Sequence, residues 1–86
     1  MTLDEAYQHL TDLVNSGDPQ FAEAANFVGQ SVQAAQNGQM SKEELAEILR
    51  DVQRQMNIIN EMSQMAYKEK LNVAINGLIT IIGAVA

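Results

Sequence analysis

At 86 residues and 9.4 kDa the chain has room for one small domain, and a domain of this size buries only roughly 60% of the surface its unfolded form exposes. It carries no cysteine and a single histidine, which excludes disulfides, thiol chemistry and Cys- or His-built metal sites within one chain, so neither a metal nor a cofactor is expected. Eleven acids against five bases give a net charge of −6, which repels phosphate and argues against nucleic acid as a partner.

The first predicted helix runs over about 3–16. Thr2 with Glu5 three residues on is a capping box, each side chain answering a backbone N–H that the helix leaves open. Leu3, Ala6, Leu10 and Leu13 recur at three- and four-residue steps and share a face. Ser16-Gly17 ends it. Asp18-Pro19 opens the second helix, about 19–37, with a capping carboxylate and a proline in the first turn. Phe21, Ala25, Val28, Val32 and Ala35 form its narrow seam, and Asn37-Gly38 ends it.

Ser41 and Glu44 make a second capping box. Leu45, Leu49, Val52, Met56 and Ile59 continue a 4-3-4-3 seam, and neither Gly nor Pro interrupts 41–70. The expectation is one long helix over 42–70, roughly 42 Å if straight. The tail, 71–86, has no charged side chain. As a helix it carries Asn72, Asn76 and Thr80 in one polar stripe. As a hairpin it would turn at Asn76-Gly77, a strong turn dipeptide between β-branched runs. The helix is the preferred reading, since the preceding helix runs into it and an isolated hairpin is marginal in water.

Charge is uneven along the chain. Residues 1–41 hold Asp4, Glu5, Asp12, Asp18 and Glu23 and no base, whereas all five bases lie within 42–70 among six acids. The bases are interleaved with acids as a solvated face, with i,i+3 pairs worth a few tenths of a kcal/mol. Glu5, His9 and Asp12 share a helical face but lack the convergent donors that catalysis needs. No nucleophile elbow, phosphate-cradling glycine loop or calcium loop is present. The chain reads as a non-enzyme.

The expected architecture is all-α: an N-terminal antiparallel helical hairpin, a long helix, and an apolar C-terminal helical segment packed as an oligomeric bundle. It divides into an acidic helical part, 1–70, and an oligomerisation segment, 71–86. The two head helices are short for covering an apolar tail as well, so the tail is expected to be buried against further copies. The expected interface is Leu45, Leu49, Val52, Met56, Ile59, Met62, Ala66, Val73, Leu78, Ile81 and Ile82, with Asn72, Asn76 and Thr80 setting register around the axis.

The function that follows is structural: an assembly protein that self-associates or docks on a larger complex, of a kind suited to bacterial or phage assemblies. A membrane-anchored or membrane-active protein using 71–86 is the alternative, opposed by the segment's shortness and its amides. A second alternative is an acidic inhibitor or regulator of a basic partner. An N-terminus without a basic and apolar leader, in a cysteine-free chain, points to the cytoplasm or to a virion or other assembly.

Overall fold

The computed structural model describes residues 1–83. These form four α-helices: α1 (Leu3–Val14), α2 (Pro19–Gln36), α3 (Lys42–Asn57) and α4 (Met65–Ile82), with a 3-10 turn (Met62–Gln64) before the last. No strand occurs among the described residues.

The helix starts follow from the caps. Thr2 Oγ1 accepts from the Glu5 N–H at 3.2 Å while Glu5 Oε1 accepts from the Thr2 N–H at 2.9 Å. Ser41 and Glu44 repeat the arrangement at 3.1 and 3.2 Å. Asp18 Oδ1 accepts from the N–H groups of Gln20 and Phe21, and Pro19 occupies the first turn. Between α1 and α2, Gly17 turns the chain at φ +86°, where a side chain would be strained.

The long helix expected over 42–70 is two helices. α3 stops at Asn57, Ile59 donates its N–H back to the Met56 carbonyl at 3.1 Å, and α4 begins at Met65. The reason is tertiary. An unbroken helix would carry Leu71, Ala74, Ile75 and Leu78 away from every other apolar surface, whereas the turn at 58–64 folds them back. All four are fully buried, in one cluster with Ala6, Leu10, Leu13, Phe21, Val28 and Leu49. The stretch Asn57-Ile58-Ile59-Asn60 offers poor helix formers at the break, so propensity does little to resist it. Lys68 Nζ then donates to the carbonyls of Asn57 and Ile59, both at 3.1 Å, satisfying groups the end of α3 exposes.

α4 packs against α1, α2 and α3. A single copy therefore covers the apolar side of 71–82: α1 and α2 do not do so alone, and α4 folds back so that α3 supplies the rest. Asn76-Gly77 lies inside α4, so the hairpin alternative does not occur. The tie at the turn is specific: Gln64 Nε2 donates to Asp18 Oδ2 at 2.9 Å, and the Tyr67 ring sits 6.0 Å from that of Phe21. Residues 84–86, part of the expected oligomerisation segment, lie outside the described residues.

Candidate functional site

The side chains expected at an oligomer interface divide into two sets. Leu45, Leu49, Val52, Met56, Ile59 and Leu78 are buried within the chain's own core. Met62, Ala66, Val73 and Ile81 are exposed and Ile82 is half-buried. The polar stripe also faces outward: Asn76 and Thr80 are exposed and Asn72 half-buried. Asn76 Oδ1 accepts from Gln53 Nε2 at 2.8 Å, and Thr80 Oγ1 donates to the Asn76 carbonyl at 3.0 Å. These groups are satisfied by α3 and by their own helix rather than around a shared axis.

Glu5, His9 and Asp12 do lie along one side of α1, but their tasks differ. Glu5 is the reciprocal half of the first capping box, and the Thr2 backbone N–H it accepts holds its carboxyl below the usual range. Asp12 pairs with Lys70 at 3.0 Å and accepts from Gln8, and the Lys70 hydrogen bond lowers its carboxyl further. His9 Nδ1 is buried without a hydrogen-bond partner. Asp18 is lowered first by Gln64 and then by the two N–H groups it caps. Three of the five acids of 1–41 are thus committed to caps and an intramolecular pair. Among the described residues no group of three or more His, Asp or Glu side chains is placed to hold a metal ion, and no helix is long and apolar enough to cross a membrane.

Apolar side chains remain exposed along the helices, Phe27 in α2 at 48% and Val73 in α4 at 43%, and apolar surface also gathers at the two ends of the molecule, which extends over 36 × 23 × 21 Å. At one end, where α3 turns into α4, Ile58 is 79% and Met62 88% exposed, with Met65 beside them at 43%. Nothing in the core needs these side chains, and the turn that buries the tail is what pushes them out. At the other end the start of α1, the end of α2, the start of α3 and the end of α4 meet around a groove of about 240 Å³. Its walls are Leu3, Val32, Ala35, Leu45, Ile81 and Ile82, with Gln36 and Lys42 completing it.

Ile58 and the groove as a shape are the features that sequence reasoning missed, although Leu45, Ile81 and Ile82 of its wall are among the expected interface residues. Ile58 sits next to the 4-3-4-3 seam rather than on it, and only the break in the helix turns it outward. Leu3, Val32, Ala35 and Leu45 all read as core, and they meet as a groove only because four helix ends stop at one level. No family model, curated protein or solved structure matches this chain.

Proposed function

We propose that the chain is a non-catalytic helical assembly module that works by protein–protein contact, chiefly with further copies of itself. The observation that carries this reading is the pair Ile58 and Met62, almost fully exposed on a domain that otherwise closes its core. Side chains of this size at a turn cost solubility, and exposed apolar groups gathered at one place mark contact surfaces. The chain's buried seam supplies stability, and its ends are free for association.

The alternative of membrane anchoring draws no support from 71–82, where Leu71, Ala74, Ile75 and Leu78 are committed to the core. The acidic-regulator alternative is weakened by the use of Glu5, Asp12 and Asp18 within the fold.

Light-scattering mass after size exclusion tests the proposal, on the full chain in detergent-free buffer across a wide concentration range. The expected result is a mass above the 9.4 kDa of one chain that falls on dilution. A constant monomer mass at every concentration would overturn it.

A further inference from the structure

Building on the self-association reading, we propose that copies of this chain associate head to tail, the Ile58–Met62 corner of one copy seating in the end groove of the next. The two features lie at opposite ends of the molecule. Lys42, at the groove, opens α3, and Ile58 follows its last residue. Sixteen helical residues separate these ends by about 24 Å at 1.5 Å per residue. The corner is convex and almost wholly exposed, and the groove is concave and mostly apolar, so each end offers what the other lacks.

The occupant is a second copy because size and charge agree. A groove of about 240 Å³ admits a side chain such as methionine, and Met62 is the most exposed large apolar side chain described. Lys42 stands at the groove, and Glu61 immediately precedes Met62 in the corner. Seating Met62 brings that carboxylate toward that ammonium. The wider charges point the same way. The groove end holds Asp4, Glu5, Glu43 and Glu44 at the starts of α1 and α3, where helix N-termini favour acids. The corner end is mixed: Arg54, paired with Asp51, and Lys68 stand there beside Asp18 and Glu61. Placing two groove ends face to face would oppose acid to acid, whereas the corner sets bases among its acids.

The contact is asymmetric, so it propagates: repetition yields a ring if the rotation closes and an open filament otherwise. It is also weak. One seated side chain and one surface ion pair are few contacts beside the roughly 20–30 residues a side of a standard stable interface. Mass therefore rises with concentration.

The absence of cysteine permits a clean test on the full chain. Met62→Cys and Gln36→Cys are prepared separately, each at an exposed position, and oxidised alone and mixed. Head-to-tail contact predicts a disulfide dimer that forms chiefly in the mixture and joins one variant to the other. Charge reversal gives a second readout. Lys42→Glu and Glu61→Lys should each weaken association about two- to fivefold, as a surface ion pair does, and the double variant should restore it. Met62→Glu should weaken it at least tenfold with unchanged circular dichroism. Dimers of Met62→Cys with itself, in a chain that scattering shows to associate, would overturn the head-to-tail contact and leave the assembly reading standing. So would unaltered mass in Met62→Glu. A monomer at every concentration would end both.

Discussion

Shortening Leu78 to alanine tests the central structural claim, that the apolar tail is part of one chain's own core. Leu78 is fully buried in α4, so the change removes three carbons from a packed site. Leucine-to-alanine changes in cores cost about 2–5 kcal/mol, depending on how far the cavity collapses. An 86-residue domain at 0.05–0.15 kcal/mol per residue has only about 4–13 kcal/mol in total. The variant should therefore lose a large share of its stability. With a urea slope of about 1–1.5 kcal/mol per molar, the midpoint should fall by about 2 M with the slope unchanged. Ile81→Ala, on a side chain 39% exposed in the same helix, should cost under about 1 kcal/mol. The assay is urea unfolding followed by far-ultraviolet circular dichroism, at low and high protein concentration. A Leu78 loss that is equal at both concentrations identifies intrachain burial, because an interface contribution shrinks on dilution. A loss below about 1 kcal/mol, or one that vanishes on dilution, would refute the reasoning. The same arithmetic governs truncation after Lys70. It removes Leu71, Ile75 and Leu78, each worth about 1.5–3 kcal/mol of burial. Together these rival the whole stability, so the truncated chain should be unfolded rather than a folded monomer.

Acidification should destabilise the fold through Glu5, Asp12 and Asp18, whose carboxyls are all held below their ordinary values. Their contribution is complete above the unfolded carboxylate values near pH 4 and is lost as pH falls through the lower folded values. Urea midpoints should therefore be flat above about pH 5 and lower at pH 3, and an unchanged midpoint at pH 3 would contradict these pairings. Lys68→Met should cost about 1 kcal/mol by removing the donor to the Asn57 and Ile59 carbonyls, read as a lower urea midpoint. Dilute peroxide should oxidise Met62 and Met65 well before Met56, which is 8% exposed. Peptide mass mapping checks that order, and equal rates would show that α3 is not closed against the core.

The helix starts were legible because they rest on local chemistry. Thr2/Glu5, Asp18-Pro19 and Ser41/Glu44 each state a cap within four residues, and every one forms. The core faces of α1, α2 and α3 were legible for the same kind of reason, since three- and four-residue spacing is a property of the sequence alone. The break at 58–64 was not. No glycine or proline marks it, and a helix passing through Asn57–Asn60 is locally tolerable. What decides it is the distant need to bury Leu71, Ile75 and Leu78, a cost that appears only when the whole chain is considered.

That one break also explains why the expected interface mixes side chains of the chain's own core with exposed ones. With 42–70 taken as a single rod, the seam from Leu45 to Ile59 and the tail beyond it had nothing to cover them but other copies. Once the rod folds, the seam and the tail cover each other. Apolar surface left at the ends consists of Ile58 and Met62 at the turn, and of the groove where four helix ends meet around Leu3, Leu45 and Ile82. Periodicity reports which residues a helix buries, and so it points at the core. The apolar surface at the ends of this bundle combines Ile58, which lies beside the seam, with the seam's own Leu3, Val32, Ala35 and Leu45 where they reach the helix ends. On the head-to-tail proposal, the convex corner and the concave groove are what would let one copy fit another.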